Sequence, residues 1–481
     1  MNLKERKEVI NNNFKQYFLN LIGQMSVYKL IYYFLYPTGV AVVALLFYRK
    51  PISFYYILGS ILFWYIFAET SFKFNRFFKL HKTYRFLAMV LVLIGVVANS
   101  SVSLTFSQET LLAATPIFLS VSLIAVLLGF EVGVGTGLFM SFLISYNIGE
   151  SLGYFIVFSF VSIVSSYTAK KIIRRIDLSK AALIVSLLST GIILIVDMIE
   201  GNFNSLELLI AVLNPLVCSV IVIGLLPYIE SGSRIYSDVG LVELGNLSHP
   251  LLLELSKVAP GTYYHSVNLA NLSESAAKSI GVNAIFSRVA SYYHDIGKSK
   301  RPDYFTENQN SKNPHDDISP SMSNLVINDH VKYGMDLAKK FRLPILFSDI
   351  ICQHHGTRVK KFFYHKARKI NESEDSSNFK YPGPKPKFKE SGIIMLADSV
   401  EAAFKSVKEP TPGKIMELVE EIVNDIYIER QLDESELNLM DLEKIITAFS
   451  QALMSISQTR IGYPEEKIEK VIRANDDKSE K

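Results

Sequence analysis

Tyr293-His294-Asp295-Ile296-Gly297-Lys298 closes an apolar, helix-patterned run on a His–Asp pair. Such a dipeptide means little alone. Here it belongs to a scattered series: His265, His294-Asp295, His330, His354-His355 and Asp398. The protein has nine histidines, and five of them fall in this series. The set offers imidazole and carboxylate and no thiolate. That suits a pair of hard or borderline cations, iron or manganese before zinc, poised over a phosphate ester. Adjacent helical residues project about 100° apart, so His354 and His355 can wrap a centre rather than line one stripe. Ile350-Ile351 makes an apolar approach that breaks at this pair, which a solvated polar face would not need.

Helical periodicity surrounds the series. Leu269–Ile280 stops at Gly281, a suitable C-cap. Ala284–His294, Ser323–Phe341, Pro344–His355 and Ile393–Phe404 read the same way, and amphipathic helix returns from Lys414 to about Ser457. Arg301–Pro320 and Phe362–Lys389 read as long loops, which in a compact domain are usually functional or disordered. Lys298, one turn beyond the dyad, is placed to neutralise a phosphate, with a solvated helix-end lysine as the bland reading. Asn308 and Gln309 read either as turn residues or as contacts to substrate and ligands.

Upstream the character differs. Of 481 residues 49% are hydrophobic and only 20% charged, too apolar for an ordinary soluble protein of this length. Up to Tyr228 the chain is a succession of apolar stretches: Val27–Tyr48, Ile52–Ala68, Tyr84–Phe106, Leu111–Phe130, Val132–Ile148, Leu152–Thr168, Ala181–Ile199 and Leu206–Tyr228. A hydrocarbon core about 30 Å thick needs roughly 20 helical residues, so these predict about eight spans across a lipid bilayer. The loops with Lys73, Arg76, Lys79, Lys82 and Arg85, and with Lys170, Lys171, Arg174 and Arg175, are basic. Those at Gln108-Glu109, Glu150 and Glu200-Gly201 carry no Lys or Arg. The positive-inside rule puts the basic loops and both termini in the cytoplasm, with Arg49-Lys50 departing from the pattern. Gly133, Gly135 and Gly137 read as sites of close helix approach, because no strand precedes them as a nucleotide loop requires. Asp197, at the end of a span, is expected to reach water rather than form an ion site.

Cys218 and Cys352 are far apart and form no disulfide framework, which fits a reducing compartment for the soluble half. The net charge of +4 is too small to argue for a nucleic-acid polymer as partner. Met1–Lys15 has no signal-peptide pattern. The fold class expected is all-α: an N-terminal segment (1–26), a polytopic transmembrane bundle (27–228), a connector (229–248), an all-helical soluble domain (249–464) and a charged tail (465–481).

Several stretches together carry a family resemblance. They are Ala259-Pro260-Gly261-Thr262-Tyr263-Tyr264-His265-Ser266, the Tyr293–Lys298 segment, Glu307-Asn308-Gln309, Asn313-Pro314-His315-Asp316 and His354-His355-Gly356. Tyr381-Pro382-Gly383-Pro384-Lys385-Pro386, Leu396-Ala397-Asp398-Ser399-Val400-Glu401-Ala402-Ala403 and Arg460-Ile461-Gly462-Tyr463-Pro464 complete them. In order and spacing they closely resemble the bacterial seven-transmembrane HD phosphohydrolases, the PgpH-type cyclic di-AMP phosphodiesterases. The membrane half resembles that family in architecture only. The resemblance implies a cytoplasmic HD-type metal-dependent phosphohydrolase domain on a bacterial inner-membrane, multi-pass anchor. It implies two divalent ions, Fe or Mn: His265, His294, Asp295 and Asp398 would hold one, and His330, His354 and His355 the other, with Asp295 bridging. It also implies that a hydroxide between the metals opens cyclic di-AMP to pApA. Asp295 and Lys298 are the expected catalytic residues, and Lys298, Asn308, Gln309, Arg358 and Tyr381 the expected substrate contacts.

Two departures stand out. Tyr264 replaces a histidine that many relatives have, at a position not counted as a ligand. The extracytoplasmic domain that relatives carry after the first span has no counterpart, since only Arg49-Lys50-Pro51 occupies that place. The alternatives left open are a cyclic di-GMP phosphodiesterase, a non-catalytic cyclic-dinucleotide receptor and, more weakly, a transporter. Related HD-GYP enzymes carry Gly-Tyr-Pro shortly after their double histidine, whereas Gly356 is followed here by Thr357-Arg358-Val359. The native metal and a homodimer are also left open by the sequence.

Overall fold

The computed structural model describes residues 27–48, 51, 53–107, 110–148, 152–201, 203–309 and 313–458. The expected N-terminal segment, the loops at Arg49-Lys50, Gln108-Glu109 and Glu150, and the stretch Arg460–Pro464 with the charged tail lie outside these residues. The chain divides into two compact units, Met1–Gly240 and Leu241–Lys481. No strand occurs among the described residues, only an isolated bridge between Val359 and Lys380.

In the first unit each of the eight apolar stretches forms a helix: α1 (27–48, with a π turn at Ile31–Leu35), α2 (Phe54–Phe74), α4 (Lys82–Ser101), α5 and α6 (Leu111–Ala114 and Ile117–Leu128), α7 (Phe130–Ile148), α8 (Leu152–Ala169), α9 (Arg175–Glu200) and α10 (Ser205–Ser233), with a short α3 (Arg76–Leu80) between α2 and α4. By length and composition, six of the eight are apolar enough to cross a membrane; α2 and α7 fall short by that measure. Glu69 and Lys73 reduce the apolarity of α2, while glycine and small polar residues reduce that of α7. Large apolar side chains such as Leu187, Met198, Val220 and Leu46 face outward. A helix apolar on both its inner and outer faces requires apolar surroundings, so the protein is a multi-pass membrane protein.

The core of this unit forms around α7, which packs against α2, α4, α6 and α8. Its small residues permit the approach. A Cβ on Gly133 would lie 2.6 Å from that of Ala125, and one on Gly137 would lie 2.6 Å from that of Ser162. Gly135 is closed in likewise by the Phe67 ring. These glycines serve close helix packing, as expected. Leu111–Phe130, read as one span, breaks at Thr115-Pro116, because proline cannot continue the hydrogen-bond ladder. The Asn214 amide from α10 donates to the carbonyls of Ala113 and Thr115 at 2.7 and 3.0 Å, satisfying backbone that lipid could not. Asp197, expected to reach water, is instead buried at 7% exposure.

Within the stretch expected as a connector, α10 runs on to Ser233, and α11 (Asp238–Leu244) follows. Glu230 binds the amide and hydroxyl of Ser237, and the amide lies 2.9 Å away, stabilising the turn into α11. The helices that follow in the second unit are α12 (Pro250–Val258), α13 (Pro260–Ile280), α14 (Ala284–Tyr293), α15 (Pro320–Lys340), α16 (Ile345–Gln353), α17 (Lys361–Arg368), α18 (Lys389–Phe404), α19 (Pro412–Ile428) and α20 (Leu439–Gln458). Gly281 ends α13 in the left-handed region at φ 72°, and Asn283 caps α14 by accepting from the Phe286 amide at 2.9 Å. Phe362–Lys389 is not all loop. Phe363 and Ala367, four apart, turn α17 onto a small cluster with Phe305 and Phe379, an apolar pattern too short to stand out between charges. Arg301–Pro320 contains only 3-10 turns among its described residues.

Candidate metal centre

Five helices contribute to one buried site. His265 sits within α13. His294 ends α14, and Asp295 follows where the helix unwinds into a 3-10 turn (Ile296–Lys300). His330 lies in α15, His354-His355 close α16, and Asp398 lies in α18. Gly297 allows the unwound turn to press on α15, since a Cβ there would collide with the His330 carbonyl. That contact brings the His–Asp pair against the helix of His330.

All seven residues of the series come together in two groups. Asp295, His330, His354 and His355 form one, and His265, His294 and Asp398 the other, with ligand atoms in each group within 4.8 Å of one another. Asp295 faces both. Its Oδ1 is 3.4 Å from His330 Nε2 and 3.5 Å from His354 Nε2, and its Oδ2 is 3.2 Å from His294 Nε2. Asp398 Oδ1 is 3.0 Å from His265 Nε2, and its Oδ2 is 3.6 Å from His355 Nδ1.

The imidazoles are oriented from behind. Nδ1 of His294 lies 2.7 Å from the Ser291 carbonyl, that of His354 lies 2.9 Å from the Ile351 carbonyl, and that of His330 meets the Ile327 carbonyl. Each carbonyl accepts a hydrogen bond from Nδ1–H, which leaves Nε2 as the lone-pair nitrogen turned to the centre. Those three Nε2 atoms and Asp295 Oδ1 are buried without a hydrogen-bond partner. Buried polar atoms rarely remain so, and unpartnered atoms in both groups call for electrophiles there. The donor set is nitrogen and oxygen, so the residues fit divalent cations.

Electrostatics agree. Burial opposes ionisation of Asp295, but the Lys298 ammonium and the His294 imidazole outweigh it and hold the carboxyl well below the usual range. Burial pushes His330 down to about 4, so its imidazole is neutral and available as a ligand. His265 differs: burial would lower it, yet Asp398 and Glu401 raise it to about 9. Glu401 was not among the expected site residues, although it lies three residues after Asp398 on the same helix face. Its carboxylate meets His265 Nδ1 directly and orients the ring. Glu401→Gln is expected to weaken Mn(II) binding roughly 10–100-fold with helical content retained. A metal titration with an unchanged midpoint would show that His265 does not depend on this contact.

The other expected residues separate. Lys298 is enclosed, with Nζ 2.7 Å from Asp295 Oδ2, 2.8 Å from Glu307 Oε1 and over the Phe305 ring. Asn308 and Gln309 do not line the adjoining pocket. Asn308 binds the Thr262 amide and hydroxyl at the start of α13, and Gln309 donates to Asp303 and Asn313 within its own loop. Tyr264 points away and is 67% exposed. Arg358 and Tyr381 do line the pocket, which holds about 530 Å³ and opens beside His354, His355 and Asp398. Tyr381 stacks on His355 with ring centroids 4.1 Å apart, and its amide donates to the Arg358 carbonyl. Arg358 is held by Glu429 at 2.7 Å and Ser399 at 3.1 Å. Glu307 and Lys360 also went unrecognised. Lys360 lines the same pocket, and burial pushes its amine down to about 7.

Two families match the chain, one described as a 7TM receptor with intracellular HD hydrolase over residues 51–237 and the other as the HD domain over residues 262–403. The HD match implies divalent metal binding, in accord with the clustered ligands. The chain is 41% identical over 297 residues to the cyclic-di-AMP phosphodiesterase PgpH of Bacillus subtilis, a match covering 60% of this chain and 42% of that protein. It is 41% identical over 246 residues to PgpH of Listeria monocytogenes, covering 51% of this chain and 34% of that one. The chain thus spans less than half the length of either relative. The crystal structure of the Listeria monocytogenes PgpH HD domain in complex with cyclic-di-AMP is 42% identical, with a TM-score of 0.43, covering 45% of this chain and all of that one. The match over the membrane half, the HD-domain match downstream of it and this identity support a PgpH-type family member.

Proposed function

We propose that the chain is a membrane-anchored phosphodiesterase that opens cyclic di-AMP to the linear dinucleotide pApA at a dinuclear iron or manganese centre. In this reading residues 27–228 anchor it in a bacterial inner membrane, 229–248 connect, and 249–464 form the catalytic domain in the cytoplasm, followed by the tail at 465–481. The observation that carries the proposal is the placement of Asp295, whose two carboxylate oxygens face two groups of imidazoles with bare nitrogens. His265, His294, Asp295 and Asp398 would hold one ion, and His330, His354 and His355 the other, with Asp295 shared. When bound, such a pair supplies a hydroxide nucleophile at neutral pH and neutralises charge on the phosphoryl oxygens.

The chain's own residues do the rest. Lys298 keeps Asp295 ionised and fixed. Glu401 and the three backbone carbonyls keep the ligand nitrogens aimed at the centre. Tyr381 and Arg358 wall the pocket that receives the dinucleotide beside the ligands. The names of the curated relatives support cyclic di-AMP over cyclic di-GMP. The intact ligand set supports turnover over mere binding.

The test uses the full chain in detergent, purified anaerobically, with metal content measured beside product profiles for both cyclic dinucleotides. Near two equivalents of Fe or Mn with pApA as product is expected. Binding without turnover, or pGpG formed faster than pApA, would overturn the reading.

A further inference from the structure

We propose that Lys360 is a specificity residue that receives the uncleaved second phosphate of a cyclic dinucleotide while the first lies at the metal-ligand end of the pocket. The assignment rests on the diesterase reading above and deepens it.

Most cations around the pocket are already matched. Lys298 pairs with Asp295 and Glu307, while Arg358 and Lys361 share Glu429. Among the described residues no carboxylate pairs with Lys360, although it is only 7% exposed. A desolvated cation without a counter-charge is costly, and the cost is recovered when a ligand brings an anion. An ammonium has three donors. The Lys360 amine gives one to Asn328 Oδ1 at 2.9 Å, and its Nζ lies 3.8 Å from the centre of the Tyr381 ring. A further donor is left for an acceptor in the pocket.

The lysine is also fixed in place. Its amide donates to the Phe379 carbonyl at 2.9 Å, and the neighbouring Val359–Lys380 bridge ties the same two strands of loop together. Asn328 stands on α15 two residues before His330, so the helix that supplies an imidazole also sets the lysine's position. Tyr381, which the amine overlies, is the ring stacked on His355. The spacing between the metal-ligand end and Lys360 is therefore rigid. A cyclic dinucleotide carries two phosphodiesters across one macrocycle, and one pocket of about 530 Å³ is lined both by His354, His355 and Asp398 and by Lys360.

The test compares the wild-type full chain with Lys360→Gln and Lys360→Met. Substrates are cyclic di-AMP and bis(p-nitrophenyl) phosphate, a diester with a single phosphate. Metal content and helical circular dichroism establish that both variants fold. For cyclic di-AMP, KM is expected to rise roughly 10–100-fold, the scale of one charge-assisted hydrogen bond, with kcat falling less than about threefold. The loss of kcat/KM on the single-phosphate diester should be several-fold smaller. An unchanged KM for cyclic di-AMP in both variants would overturn the assignment while leaving the diesterase reading intact. Equal losses on both substrates, carried by kcat, would place Lys360 in the chemistry or the fold and likewise overturn it. A wild-type chain that cleaves neither diester removes the diesterase reading, and the assignment falls with it.

Discussion

Asp295→Ala is expected to lower cyclic di-AMP turnover by at least about 10³-fold, the scale seen when one member of a cooperating catalytic unit is deleted. The reason is geometric. The two oxygens of Asp295 address both groups of ligands, and the residue is fully buried. Its loss should remove shared coordination, so metal stoichiometry ought to fall together with rate. Asp295→Asn sharpens the test, because it keeps the shape and removes the charge. If the asparagine variant retained both metal equivalents and more than a tenth of wild-type turnover, the bridging role would be wrong. Helical circular dichroism should change little in either variant, since the helices that frame the site are held by apolar packing around Phe347, Ile350 and Leu396.

Lys298→Met should reduce both stability and rate. Removing the ammonium leaves the buried Asp295 and the half-buried Glu307 near one another without the cation they share. Breaking such a buried pair costs about 3–5 kcal/mol. Bound divalent cations supply positive charge at the same place, so the loss should be largest after chelation and should shrink when Mn(II) is restored. Thermal unfolding of wild type and variant, each with EDTA and with Mn(II), reads this directly. Equal destabilisation in both conditions would mean that Lys298 serves packing over Phe305 rather than charge. The rate with Mn(II) present should still fall, by about 10²-fold, because Asp295 loses the contact that fixes its rotamer.

The relation between sequence and site is uneven for physical reasons. Ligand chemistry is written in residue type: imidazoles and carboxylates without thiolate identify a hard-metal set before any fold is known. Glu401 and Glu307 were overlooked because a carboxylate that holds a histidine or lysine looks like any helix or loop acid until its partner is in view. Asn308 and Gln309, read as turn residues or as substrate contacts, bind local backbone groups in the structure.

Hydrophobic length and period were enough to place the membrane helices and the all-α class, because lipid enforces apolar surfaces and internal backbone pairing on any spanning segment. They did not reveal the break at Thr115-Pro116, the burial of Asp197, or the short helix α17. Each depends on a neighbour distant in sequence: Asn214 for the freed carbonyls, the surrounding helices for Asp197, and Phe305 and Phe379 for α17. The same holds at the centre. Residue types announce that metals can bind, but only tertiary packing brings His265 and Asp398, 133 residues apart, within 3.0 Å of each other and presses Gly297 on the helix of His330.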